Sequence, residues 1–196
     1  MDDDGLVRIT ARDGRTLCYD TASFLPGSLD PAAPPGNDDP AGGERPPVVF
    51  LHGSLANRFA FRRVRPVVGA GRRTVATVLR GHADDDDRAL PADYALATTE
   101  VDDLRRVLAA EGIEQADLFA HSTGGSIAVA LAARHPKLVR RLVLVEPTLL
   151  PLLTGAMAAR VDGRVMRIVG SMQCPYYVHK AMRALLGCAA DDVVIT

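Results

Sequence analysis

The sequence lacks the features that mark nucleic-acid-binding, secreted and metal-binding proteins. It contains no tryptophan and only three cysteines among 196 residues, and its net charge at pH 7 is −1. A nearly neutral chain offers little electrostatic attraction to nucleic acids or anionic membranes, so neither is expected as a partner. The cysteines are odd in number, widely spaced and outside any metal-ligand pattern: Cys18, Cys174 and Cys188. We therefore expect reduced thiols, a cytoplasmic protein and no metal site.

Long apolar runs and a secretion signal are also missing. The acidic start of the chain is not followed by an apolar segment, which argues against a signal peptide. The longest apolar stretches are interrupted by Glu146, Pro147 and Pro151, and they are too short to cross a bilayer. The acidic run at 84–87 is interpreted as a solvated loop, because adjacent carboxylates in one loop diverge. What is present is an ordinary globular composition, with 47% hydrophobic and 24% charged residues.

Alternating apolar segments predict an α/β fold with a doubly wound, mostly parallel sheet. Four apolar runs are typical of strands that helices cover on both faces: 47–51, 74–79, 116–120 and 139–145. Three segments between them predict helices: 57–68, 98–111 and 124–134. Residues 6–10 and 15–21 predict a hairpin around an Asp-Gly turn. Residues 25–47, rich in Pro, Gly and Asp, predict a flexible surface loop.

The clearest functional signal is the turn that follows the strand at 116–120. The strand changes abruptly into a helix that begins near Gly124, and Ser122 stands between them. Such a turn lifts one side chain clear of the sheet and needs small residues on either side, here Ala120 and Gly124. The backbone N–H of Thr123 would face the same corner, where a developing oxyanion is stabilised. The simpler alternative is a strand followed by a helix with a polar cap.

Two motifs together resemble the α/β-hydrolase family. The small-x-Ser-x-Gly pattern around Ser122 resembles the family's nucleophile elbow, and the strand that ends in His52 and Gly53 resembles the start of its oxyanion loop. The resemblance implies that the N–H groups of Ser54 and Thr123 form the oxyanion hole. His52 is interpreted as a hydrogen-bonding residue of this loop rather than as a base.

Glu146 is the candidate acid of the catalytic triad. It follows the strand at 139–145, and functional side chains gather at the carboxyl ends of such strands. Some family members place the acid here and many place it one strand later, so a cap-anchoring or solvent-facing role is an equal alternative. Residues 156–169 and 176–186 predict helices that resemble the start of the family's helical cap. We divide the chain into a hydrolase core, 1–150, and a partial cap, 151–196.

No general base is identified from the sequence. The family places a histidine after the acid, and His179 is the one histidine that follows Glu146. His179 falls in a predicted amphipathic helix, where a histidine is more often structural. The family's final strands and the helix after them are missing, so the chain resembles a C-terminally truncated member. An unpaired sheet edge at that point would favour self-association.

The resemblance implies a serine hydrolase that needs no cofactor. Its substrate would be a small hydrophobic or acyl molecule, carrying an ester or a related acyl or carbon–carbon bond. The alternative is an inactive fragment or a non-catalytic binding module, in which the elbow serves folding and the catalytic histidine is lacking. A third possibility is that a second chain supplies the missing strands and histidine.

Overall fold

One eight-stranded sheet organises the protein. The computed structural model describes residues 5–24, 45–82 and 89–148, together with the backbone of two later strands. The strands are β1 (Val7–Thr10), β2 (Thr16–Ser23), β3 (Val48–Leu51), β4 (Arg73–Thr77), β5 (Ala116–His121), β6 (Val139–Val145), β7 (Met166–Val169) and β8 (Val193–Ile195). Their order in the sheet is β1-β2-β4-β3-β5-β6-β7-β8.

The sheet is mostly parallel, as the sequence predicts. β1 and β2 form the predicted antiparallel hairpin, whose turn contains Gly14 at a φ of 77°, and β2 pairs antiparallel with β4. The remaining pairs, from β4 through β3 and β5 to β8, are all parallel. The parallel arrangement brings the carboxyl ends of β3, β5 and β6 to one edge.

In the described ranges, three α-helices accompany the strands: α1 (Arg65–Val68), α2 (Val101–Ala110) and α3 (Thr123–Arg134). A π-helical turn, Leu96–Glu100, leads directly into α2, so the helix predicted over 98–111 is present with an irregular first turn. Nearly all of α3 is buried, and its many alanines allow it to pack closely on the sheet. Within the described part of the chain, no helix has the length and apolar character that crossing a membrane requires.

The single helix predicted over 57–68 is wrong, because two short helices occupy this segment. A 3-10 turn, Arg58–Phe61, is capped by the Asn57 side chain, which accepts a 3.0 Å hydrogen bond from the Phe59 N–H. The α1 helix follows after a break of three residues. Pro66 lies in the first turn of α1 and has no N–H to donate to the Arg62 carbonyl, so one continuous helix from Asn57 would lose a hydrogen bond at this point.

The sheet continues beyond β6. β7 pairs with β6 and β8 pairs with β7, so the edge expected beside β6 is paired and the outer strand on this side is β8. The helix predicted over 156–169 is therefore wrong for its last four residues, which are β7; the β-branched pair at 168–169 favours a strand. The other cap helix, His179 and most of the loop predicted over 25–47 lie outside the described residues, and the division at 150 stays a prediction.

Candidate active site

Ser122 occupies a tight turn between β5 and α3, at the predicted apex. Its φ of 50° and ψ of −117° are unusual for a residue other than glycine and carry a conformational cost. Backbone hydrogen bonds hold this geometry: the Ser122 N–H donates to the Val145 carbonyl at 3.0 Å. The Ser122 carbonyl accepts from the N–H groups of Gly125 at 2.9 Å and Thr148 at 3.1 Å.

The loop after β3 touches the elbow, and glycines make this contact possible. A Cβ atom on Gly124 would lie 2.3 Å from the Leu51 carbonyl oxygen, so the start of α3 packs directly on the end of β3. A Cβ atom on Gly53 would lie 2.8 Å both from the Ser122 Cβ and from the His121 Nδ1. The two segments that the sequence assigns to the oxyanion hole and the nucleophile are therefore in contact.

Ser54 and Thr123 lie side by side at this contact. Their hydroxyl oxygens are 2.7 Å apart, which joins the loop after β3 to the first residue of α3. The N–H of a first helical residue has no acceptor within its own helix. The structure thus brings together the two residues whose N–H groups the sequence assigns to an oxyanion hole. Leu55, which follows Ser54, is fully exposed and has a φ of 63°.

His52 anchors the loop after β3, as its sequence position predicts. Its Nε2 accepts a 3.1 Å hydrogen bond from the Leu79 N–H, so the ring proton is on Nδ1, which donates to the Gly53 carbonyl at 2.8 Å. Burial lowers the pKa of His52 to about 4. Both ring nitrogens are engaged and the ring is neutral at pH 7, so His52 is not placed to act as a base.

Thr148, rather than Glu146, contacts the Ser122 side chain. The Ser122 Oγ lies 3.2 Å from the Thr148 Oγ1. Glu146 is exposed and has a left-handed φ of 44° at the turn after β6. Among the described residues, the hydrogen-bond partner of the Ser122 hydroxyl is this threonine and not a histidine. No motif in the sequence marks Thr148, and its one signal is its place just after a strand whose carboxyl end lies beside the elbow.

A buried polar network supports the segment after β4. Arg80 pairs with Asp103, at 2.9 Å from Nη2 to Oδ1, and with Asp13, at 2.6 Å from Nη1 to Oδ2. Glu100 accepts hydrogen bonds from the Arg80 N–H at 3.2 Å and the Tyr94 hydroxyl at 2.8 Å. Burial raises the pKa of Glu100 to about 7. Because Arg80 follows Leu79, whose N–H donates to His52, the network holds the backbone beside the group that anchors the His52 ring.

Within the residues that the structure describes, no group of three or more His, Cys, Asp or Glu side chains is arranged to hold a metal ion.

Comparison with curated proteins identifies hydrolases over part of the chain. The chain is 43% identical over 101 residues to a 2-hydroxymuconate semialdehyde hydrolase of Pseudomonas sp. (strain CF600), in a match that covers 50% of this chain and 35% of that protein. It is 33% identical over 103 residues to the sn-1-specific diacylglycerol lipase ABHD11 of Mus musculus, covering 52% and 32% respectively. The chain spans about a third of the length of these two relatives.

Solved structures share the fold. A hydrolase from Pseudomonas aeruginosa PA01 matches with a TM-score of 0.59 at 20% identity, over 75% of this chain and 48% of that one. The esterase RhEst1 from Rhodococcus sp. ECU1013 matches with a TM-score of 0.56 at 25% identity, over 73% and 46%. A family model described as the alpha/beta hydrolase fold matches residues 46–171, which is more than half of the chain. The chain therefore belongs to the α/β-hydrolase fold family.

Proposed function

We propose that the protein is a serine hydrolase in which Ser122 is the nucleophile. The observation that carries the proposal is the apex geometry of Ser122, held at a φ of 50° beside the loop that contains Ser54. Ligands bind at the carboxyl edge of a parallel sheet. A residue that adopts a costly backbone conformation at this edge is therefore favoured to have a functional role. Serine at this position supplies an oxygen nucleophile for acyl transfer.

The proposed reaction is hydrolysis through a covalent acyl-enzyme. The Ser122 Oγ attacks the substrate carbonyl carbon and gives up its proton to a base, while the N–H groups of Ser54 and Thr123 stabilise the oxyanion. The leaving group departs with a proton, and water then releases the acid. Glu146 is retained as the candidate acid by its place after β6, and the base is not assigned. This chemistry needs no cofactor.

The proposed substrate is a small hydrophobic or acyl molecule with an ester or a related acyl or carbon–carbon bond. Support comes from the names of the two relatives, a semialdehyde hydrolase and a diacylglycerol lipase. The fully exposed Leu55 beside Ser54 offers an apolar contact near the nucleophile. We also propose a cytoplasmic location, which fits a buried cysteine, Cys18, that is in the reduced state.

Hydrolysis of short p-nitrophenyl esters tests the proposal. We expect turnover by the purified protein and a loss of at least about a thousandfold in the Ser122→Ala variant, because removing the nucleophile leaves only the weak effect of the oxyanion hole and binding. Thr77→Val is a matched control, since it removes a buried hydroxyl whose hydrogen bond goes to the Phe50 carbonyl and not to Ser122. Equal, near-background rates for the wild type and Ser122→Ala would contradict the assignment for simple esters.

A non-catalytic binding module is the second candidate. It is favoured by one observation, that the described partner of the Ser122 hydroxyl is Thr148 rather than a base. A fluorophosphonate probe separates the two candidates, because labelling requires an activated serine. Self-association through the outer strand β8 is a further proposal, and the mass of the protein in solution tests it.

A further inference from the structure

The segment that follows β6 contacts the elbow at several points. We call the last residue of β6 and the three residues after it, 145–148, the strap. The Thr148 N–H donates to the Ser122 carbonyl, and the Ser126 hydroxyl donates to the Thr148 carbonyl. Pro147 packs on α3 so closely that a Cβ atom on Gly125 would lie 2.7 Å from its ring. Thr148 is therefore held beside Ser122 by the hydrogen bonds of its own backbone and by the packing of Pro147 on α3.

The Thr148 side chain is placed to act on the nucleophile itself. Its Oγ1 lies 3.2 Å from the Ser122 Oγ, and either hydroxyl can donate. A serine nucleophile must keep its proton available for a base while its oxygen is aimed at the substrate carbonyl. A donor other than the base can satisfy one lone pair of that oxygen without consuming its proton.

We propose that Thr148 is a positioning residue for Ser122, an inference that rests on the proposed function. Its hydroxyl donates to the Ser122 Oγ and holds the oxygen in one rotamer, which leaves the serine proton free for transfer. During attack, the Oγ forms the new bond to carbon and its proton passes to the base, while the proton of Thr148 stays on Thr148. The methyl group of threonine restricts χ1, so the donor is pre-oriented in a way that serine would match only in part.

The test compares Thr148→Val, which keeps the shape and removes the hydroxyl, with Thr148→Ser, which keeps the hydroxyl. The rate of labelling by a fluorophosphonate probe is measured from pH 6 to pH 9, together with kcat and KM for a p-nitrophenyl ester. We expect Thr148→Val to label roughly fivefold to tenfold more slowly and to lose kcat by a similar factor at unchanged KM, as the loss of one hydrogen bond implies. Thr148→Ser should recover most of the rate.

Two results would overturn the positioning role alone. One is Thr148→Val labelling at the wild-type rate while the wild type labels in a Ser122-dependent manner. The other is Thr148→Ser slowing as much as Thr148→Val, which would assign the effect to packing of the methyl group. Wild-type protein that labels no faster than Ser122→Ala would instead overturn the proposed function and this inference together.

A second measurement does not depend on activity. If the two hydroxyls interact, Thr148→Val should lower Tm less in the Ser122→Ala background than in the wild type, because the partner is already missing. Equal losses of Tm in both backgrounds would contradict the contact.

Discussion

His52 shows how burial and two hydrogen bonds select one protonation state of a side chain. Nε2 can accept from the Leu79 N–H only when it carries no proton, and the buried ring keeps a pKa of about 4. The neutral ring then joins the end of β4 to the carbonyl of Gly53. His52 is thus a structural part of the loop after β3.

Replacement of His52 should change how stability depends on pH. The unfolded chain takes up a proton on this histidine near pH 6.5, but the folded protein does so only near pH 4. The free energy of unfolding therefore decreases by up to about 3 kcal/mol as pH falls from 6.5 to 4. In His52→Gln, which cannot titrate, we expect lower stability at pH 7 and a smaller loss on acidification.

Chemical denaturation of wild type and His52→Gln at pH 4.5, 5.5 and 7 measures this difference. Parallel stability curves for the two proteins would show that His52 does not contribute to the acid loss.

At the scale of elements, the junction of β3 with α3 depends on the absence of a side chain at Gly124. The helix start lies against the carbonyl of Leu51, and a rigid backbone atom cannot move aside for a methyl group. At Gly125, by contrast, the nearest atom is the ring of Pro147 in the strap. The start of α3 therefore packs more tightly against β3, at Gly124, than against the strap, at Gly125.

Alanine at each glycine tests this difference. We expect Gly124→Ala to lower the free energy of unfolding by more than about 2 kcal/mol, because overpacking forces the helix off the strand. Gly125→Ala should cost about 1 kcal/mol less, since its Cβ atom would overlap less with Pro147, at 2.7 Å, than that of Gly124→Ala with the Leu51 carbonyl. Urea denaturation measures both, and an equal or smaller loss for Gly124→Ala would contradict the close packing on β3.

Most elements could be predicted because each is specified by its own sequence. The apolar runs that became β3 and β5 are buried on both faces, and the elbow has its small residues at fixed distances from Ser122. The break before α1 also had a local cause, Pro66, which the prediction of one helix over 57–68 overlooked. β7 was missed because a short segment with mixed spacing does not reveal whether a neighbouring strand will pair with it.

The site was predictable only where its parts are local. Ser122 and Gly124 belong to one motif, whereas the approach of Thr148 to Ser122 depends on the parallel pairing of β5 with β6. The exposed position of Glu146 likewise follows from a turn after β6 that sequence spacing does not specify. Contacts between segments that are distant in the chain come from tertiary packing, and one sequence carries no direct signal for them.

At the scale of the whole molecule, one polar network, buried except at Asp13, connects four parts of the chain. Arg80 after β4 binds Asp13 in the first hairpin and Asp103 in α2, and its N–H reaches Glu100 in the π-helical turn. Burial keeps the pKa of Glu100 near 7. The folded protein therefore retains a proton on Glu100 that the unfolded chain releases near pH 4.5.

Stability should consequently fall by up to about 3 kcal/mol through Glu100 as pH rises from 4.5 to 7. Between pH 4.5 and 6.5, the contribution of His52 to stability increases with pH while that of Glu100 decreases. The two contributions nearly cancel, and stability stays nearly constant in this range. Glu100→Gln removes the loss and keeps an oxygen acceptor for Tyr94. We expect its stability relative to wild type to increase with pH in urea denaturation from pH 4.5 to 7.5. A constant difference would contradict the raised pKa.

The strap has a mechanical consequence. Ser122 is tied through its N–H, its carbonyl and its hydroxyl to residues 145 and 148, which are separated from it by the whole of α3. A pull on the chain just after Thr148 would therefore be transmitted to Ser122 without passing through the helix. Three hydrogen bonds thereby couple any movement of the chain after Thr148 to the alignment of the Ser122 oxygen.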